Sequence, residues 1–186
     1  MNSIYLYEGP FEKGDKGFPM IKEAARRHAA ECGMDFDFDE AQIVREEKGK
    51  PYFVDIPLEF SLTHSGQLWM CLFSGQPVGL DLQQVKSLEY EKIADRQYTE
   101  EEQCYVRLWG LAGFFDIWVR KEAFCKCTGQ GLFTEMPSMA DENHDLCEEI
   151  IWQGKTYCFT EIPMADDLKC VVCSGEKMEI ETRILG

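Results

Sequence analysis

Three groups of residues have the types and spacing to do chemistry. Asp81 lies in Val78-Gly79-Leu80-Asp81-Leu82-Gln83, where apolar and polar residues alternate. On a strand that alternation puts Asp81 and Gln83 on one face and Leu80 and Leu82 on the other. A carboxylate among Val and Leu is costly unless it is paired, hydrogen-bonded or bound to a metal; an exposed sheet face satisfies it equally well. Trp118, Glu122 and Lys126 recur every four residues of a helical stretch and fall close to one stripe. Glu122 and Lys126 then make either a surface ion pair worth about 0.3–0.5 kcal/mol, or a metal-binding carboxylate beside a cation for an anionic leaving group. Thr63-His64-Ser65-Gly66 ends a strand. Two hydroxyls, an imidazole and a glycine at a turn suit the close approach of a phosphate, although a lone histidine is more often structural than catalytic. No G-x-S-x-G elbow, P-loop or G-x-G-x-x-G is present, which weakens serine hydrolase, nucleotide triphosphatase and dinucleotide-binding readings.

The elements that must position these residues follow from pattern. Ser3–Tyr7 alternates as a strand, and Pro19 opens a helix that Gly33 ends. A short strand is expected at Ile43–Arg45. Phe60–His64, Leu68–Phe73 and Val78–Gln83 read as three strands joined by the turns Ser65-Gly66-Gln67 and Gly75-Gln76-Pro77, an antiparallel meander. Thr99-Glu-Glu-Glu102 is a capping box that starts a helix running to about Trp109. A longer helix spans about Phe114 to Thr128 and stops at Gly129-Gln130-Gly131. Ile150–Trp152, Lys155–Thr160 and Leu168–Cys173 alternate as three further strands. The element order predicts an α+β protein of two similar halves, residues 1–77 and 78–186, joined near Pro77.

At 186 residues with 45% apolar side chains, the chain carries enough material for a real core. Its 34 acids against 19 Lys and Arg give a net charge of -15, which argues against nucleic acid and anionic membrane as partners. No apolar run is long enough to span a bilayer, and the first residues lack a secretion signal, so a cytoplasmic protein is expected. The nine cysteines then read as reduced thiols, and the close pairs Cys125/Cys127 and Cys170/Cys173 as buried small thiols rather than a zinc site. Cys170 and Cys173, three apart on a strand, should point to opposite faces. The excess acid is concentrated in residues 127–186, with 12 acids against 4 bases, whereas residues 86–126 carry 8 acids and 7 bases.

These pieces, taken in order, resemble the Sfp-type 4′-phosphopantetheinyl transferases. The matching segments are Gly49-Lys50-Pro51; Phe60-Ser-Leu-Thr-His64-Ser-Gly66; Val78-Gly79-Leu80-Asp81; Ile93-Ala94-Asp95-Arg96 with Thr99 and Glu102; and Trp118-Val-Arg-Lys121-Glu122-Ala-Phe-Cys-Lys126 followed by Gly129-Gln-Gly131-Leu132. Each is weak alone; five in sequence over about residues 49–132 are specific. The resemblance implies two pseudo-symmetric α+β halves with the active site in the cleft between them. It implies transfer of the 4′-phosphopantetheine arm from coenzyme A, the co-substrate, to a serine of an acyl or peptidyl carrier protein, with release of 3′,5′-ADP. Asp81 and Glu122 would hold Mg²⁺ on the pyrophosphate, and Glu122 would help deprotonate the serine through water. Lys126 would neutralise or protonate the leaving phosphate. Lys50 and His64, assisted by Thr63, would bind coenzyme A phosphates, and Lys16, just before the first helix, is the expected 3′-phosphate cation.

Two positions depart from the family pattern. Gln83 stands where many members carry an acid, so it is a neutral oxygen ligand at best. Val119 stands where Ser or Thr is common. Gln83 motivates a second hypothesis, a non-catalytic homologue that binds coenzyme A or a carrier protein. An unrelated metal-dependent phosphohydrolase would explain Asp81 and Glu122 but not the other segments. Two fused halves make a monomer sufficient. The near-balanced middle stretch, with Lys86, Lys92, Arg96, Arg107, Arg120 and Lys121, is expected to dock an acidic carrier.

Overall fold

The alternating segment near the N-terminus forms strand β1 (Ser3–Glu8) in the computed structural model, which describes residues 1–47, 49–131 and 134–186. A single turn of 3₁₀ helix at Gly14–Gly17 leads into α1 (Phe18–Cys32), with proline in its first turn and left-handed Gly33 as its cap. β2 (Ile43–Arg45) and β3 (Pro51–Phe53) form a two-stranded ribbon. β4 (Glu59–Ser65) and β5 (Leu68–Ser74) form a hairpin, and β6 (Val78–Gln84) follows. Next come α2 (Tyr90–Gln97) and the long α3 (Glu100–Thr128). β7 (Glu149–Trp152), β8 (Lys155–Glu161), β9 (Leu168–Ser174) and β10 (Glu181–Ile184) complete the chain. The sequence pattern does not predict β3, α2 or β10. The α+β class is as the sequence implied.

The expected meander of β4, β5 and β6 is not formed. The strands make two four-stranded sheets, ordered β10-β1-β5-β4 and β6-β9-β8-β7. β5 pairs with β1 and β4, whereas β6 opens the second sheet by pairing with β9. The other edge of β6 meets β4 through side chains. Ser61 Oγ accepts the Leu80 N–H at 2.8 Å, Thr63 Oγ1 the Leu82 N–H at 3.0 Å, and Ser65 Oγ the Gln84 N–H at 3.0 Å. Alternate N–H groups of a strand point to opposite edges, so one edge of β6 serves β9 and the other is satisfied by this row of hydroxyls. The short turn at residues 75–77 therefore carries the chain from one sheet to the other. β10 returns to the first sheet and lies parallel to β1.

Each layer is held by its own apolar cluster. Ile21, Ala24, Ala25 and Ala29 of α1 pack with Tyr5, Phe60, Trp69 and Phe73 on one face of the first sheet. Ile4, Met70 and Leu72 meet Leu80, Leu82 and Val172 between the sheets. Phe114, Ile117, Ala123 and Phe124 of α3 pack with Val171 and Cys173 on the far face of the second sheet. Cys170 and Cys173 face different clusters, as their spacing predicts. All nine cysteines are free, and burial pushes the Cys125 and Cys170 thiols up to about 12.

Candidate active site

The alternation of β6 does what the sequence required of it: Leu80 and Leu82 enter the core between the sheets, and Asp81 faces α3. Gly79 makes this face usable. A Cβ there would lie 1.8 Å from the Ala123 carbonyl oxygen and 2.6 Å from the Cys127 amide nitrogen. Only a residue without a side chain lets α3 come this close, and that approach brings Glu122 and Lys126 over Asp81.

Asp81 is 2% exposed and is satisfied on three sides. Lys126 Nζ donates to its Oδ1 at 2.7 Å and also to the Leu80 carbonyl at 2.9 Å. Thr63 Oγ1 donates to Oδ1 at 3.2 Å, so β4 of the first sheet reaches into the site. Gln83 Nε2 donates to Oδ2 at 3.3 Å. The expected Glu122–Lys126 pair is therefore replaced by Asp81–Lys126, because the lysine finds a more buried carboxylate. Glu122, half-buried, is pushed above its ordinary value by burial and then by the charge of Asp81, with Lys126 opposing.

The site opens into a cleft of about 540 Å³ lined by Asp81, Gln83, Glu122, Lys126, Lys50, Thr63 and His64. Seven of the eight residues singled out from sequence thus come together. Lys50 pairs loosely with Glu59 at 3.7 Å. His64 sits 5.4 Å from the Phe11 ring, and burial, then the charges of Lys13 and Lys126, lower its pKa and favour the neutral imidazole. Lys16 is the exception. It is exposed on the 3₁₀ turn and does not line the cleft. Lys13 and Arg45 line it instead. Arg45 lies opposite Pro51 in the β2–β3 ribbon, donates to Asp15 Oδ1 and the Gly49 carbonyl at 2.9 Å each, and stacks over Phe18. The hairpin around Gly49-Lys50-Pro51 was the available signal: pairing across it carries Arg45 to the same mouth as Lys50. Lys13 lies in an irregular loop, and no periodicity marks it.

The cleft can hold a polyanion. It gathers Lys13, Arg45, Lys50 and Lys126 in a chain whose net charge is -15. No group of three or more His, Cys, Asp or Glu side chains gathers to hold a metal among the described residues. Two carboxylates, Asp81 and Glu122, remain at the site, and they fit a hard cation such as Mg²⁺, which is usually bound by one or two carboxylates together with substrate phosphates and water. Gln83 turns its amide nitrogen to Asp81, serving the carboxylate as a donor. Around the site, Gly129, Gln130 and Gly131 close α3 as expected, and Leu132 lies outside the described residues.

Arg120 and Lys121, expected on a docking surface, are 5% and 6% exposed. Arg120 Nη2 donates to Glu161 Oε1 at 2.6 Å, and Lys121 Nζ lies 2.9 Å from Glu102 Oε1. Their helical positions turn them inward, which a count of charges along the chain does not register. Lys86, Lys92, Arg96 and Arg107 are exposed.

Comparison with known proteins gives the family. A family model described as the 4′-phosphopantetheinyl transferase superfamily matches residues 77–170, just over half of the chain. The chain is similar to 4′-phosphopantetheinyl transferase gsp of Aneurinibacillus migulanus, at 29% identity over 70% of this chain and 56% of that protein. It is similar to 4′-phosphopantetheinyl transferase Sfp of Bacillus subtilis (strain 168), at 28% identity over 72% and 62%. A putative 4′-phosphopantetheinyl transferase of Haemophilus influenzae is 26% identical over 67% and 56%. The chain spans about six-tenths of the length of these relatives. With β6, α3 and β9, the elements that carry the site or pack against it, inside or reaching into the matched segment, the chain belongs to the 4′-phosphopantetheinyl transferase superfamily.

Proposed function

We propose that this protein transfers the 4′-phosphopantetheine arm of coenzyme A to a serine of an acyl or peptidyl carrier protein, with Mg²⁺, and releases 3′,5′-ADP. The observation that carries the reading is the meeting of Asp81, Glu122 and Lys126 in a cation-rimmed cleft. Lys13, Arg45 and Lys50 suit the phosphates of coenzyme A, and a neutral His64 suits a hydrogen bond to one of them. Asp81 and Glu122 would hold the metal, which supplies charge stabilisation on the diphosphate when bound. Lys126, displaced from Asp81 toward the leaving phosphate, offsets the negative charge that develops there. Glu122, raised from its ordinary value by burial and then by the charge of Asp81, accepts the serine proton through a water. Thr63 and Gln83 keep the Asp81 carboxylate oriented by donating to its two oxygens.

We read the protein as a cytoplasmic monomer; among the described residues no helix is long and apolar enough to cross a membrane. The docking surface is read as the exposed cations Lys86, Lys92, Arg96 and Arg107. The test is incubation with Mg²⁺, coenzyme A and a panel of apo carrier proteins, followed by intact-mass spectrometry. A carrier gaining one phosphopantetheine arm supports the reading; no gain on any carrier, by a folded protein, contradicts it. The amide of Gln83 beside Asp81 favours one alternative, a homologue that binds coenzyme A without turnover. Calorimetric binding of coenzyme A with no product on any carrier is the outcome that selects it.

A further inference from the structure

α3 is bent. Gly110 sits at φ 60° and ψ -140°, outside the helical region, so residues 100–109 and 111–128 are separate rods that share one name. Glu122 and Lys126 ride on the second rod. The backbone ladder of a helix does not run through such a residue, so something else must fix the second rod against the first.

Glu102 and Lys121 bridge the bend. Glu102 is fully buried and Lys121 is 6% exposed, with Nζ 2.9 Å from Glu102 Oε1. The same oxygen accepts the Met139 N–H at 2.8 Å, and Oε2 accepts the Thr99 N–H at 2.9 Å. Lys121 Nζ also lies 5.4 Å over the Tyr98 ring, whose hydroxyl donates to the Phe114 carbonyl at 3.0 Å. One carboxylate thus ties the cap of the first rod, the body of the second and the strap at residues 138–140. Burying two charges costs several kcal/mol per ion, and apolar residues of similar volume often serve stability as well or better. Stability alone is therefore a weak reason for this pair.

We infer that the Glu102–Lys121 pair is a positioning device that sets the rotation of the second rod of α3, so that Glu122 faces Asp81. Successive helix residues point about 100° apart. Anchoring Lys121 on Glu102 and Arg120 on Glu161 turns Glu122 toward β6. The inference rests on the reading of Asp81 and Glu122 as the metal- and phosphate-handling carboxylates.

The test compares wild type, Lys121→Met, and Glu102→Gln with Lys121→Met. The single variant leaves a buried carboxylate without its cation and melts at a lower temperature; the double variant recovers much of that loss. In the folded double variant, Mn²⁺ binding in the presence of coenzyme A, read by electron paramagnetic resonance, weakens at least about tenfold, and kcat falls by a similar factor while carrier KM stays within about twofold. In the metal-free protein, amides 119–126 exchange at least about tenfold faster, while those of the first rod keep wild-type protection. Wild-type kcat, Mn²⁺ affinity and exchange in the double variant would reduce the pair to a structural one and overturn the inference. Should wild type itself fail to bind Mn²⁺ with coenzyme A, the metal reading falls, and the exchange comparison alone still decides the positioning claim.

Discussion

Asp81 has little exposed surface and carries the site: three donors from β4, β6 and α3 converge on its two oxygens. The neighbouring Glu122 is left with burial and a second negative charge, which together raise its pKa. A carboxyl whose value is raised by folding binds more protons folded than unfolded. The stability it contributes therefore falls as pH rises from the ordinary 4.5 through the raised value. Glu122→Gln should raise the melting temperature most near about pH 8 and lose that gain toward about pH 4, where both states hold the proton. A gain that does not shrink on acidification contradicts this account of Glu122. Most of these residues were legible in sequence because period and motif mark them: alternation found Asp81, helical spacing found Glu122 and Lys126, and the segment around His64 found Thr63. Lys13 and Arg45 were not, because their place depends on how a loop and a hairpin fold back over the cleft. Lys16 was misplaced for the same reason, since one turn of 3₁₀ helix separates an exposed cation from a lining one.

At the level of elements, the decisive contact is α3 on β6 across Gly79. Gly79→Ala puts a methyl group into the Ala123 carbonyl, and neither backbone can yield without moving Glu122 or Asp81. Overpacking of this kind costs about 1–3 kcal/mol or more, so the urea midpoint of Gly79→Ala should fall clearly below wild type, with transfer activity falling further. A variant of unchanged midpoint would mean that α3 does not sit where it is described. The capping box at Thr99 and the stop at Gly129 made α3 readable, and its break, read as a gap between two helices, is one residue at Gly110. The partition into two sheets was not readable. Short turns predict adjacent pairing, but Ser61, Thr63 and Ser65 capture the amides of β6 and leave its backbone pairing to β9, some ninety residues later in the chain. β10 is not readable because three of its four residues, Glu181, Thr182 and Arg183, are polar and its one apolar residue, Ile184, is exposed, so no alternation marks a strand.

For the whole molecule, the charge of -15 still leaves cations at the cleft, where the proposed function seats an anion, and on the surface, where it docks an acidic carrier. Burial removes Arg120 and Lys121 from that second role and leaves Arg96 and Arg107 on the surface. Charge reversal at both should raise carrier KM by about 2–10-fold with little change in kcat, because charges at the rim of an interface mainly steer association. An unchanged carrier KM places the docking surface elsewhere. The central claim is that Asp81, Glu122 and Lys126, brought together from two elements over a glycine, are the transfer machinery. The most direct measurement is the rate of 3′,5′-ADP release with apo carrier for Asp81→Ala, Glu122→Ala and Lys126→Ala, alongside their melting curves. Each folded variant is predicted to lose roughly 10²–10³-fold in rate, the effect of removing one preorganised electrostatic group. Three folded variants with near-wild-type rates would contradict it.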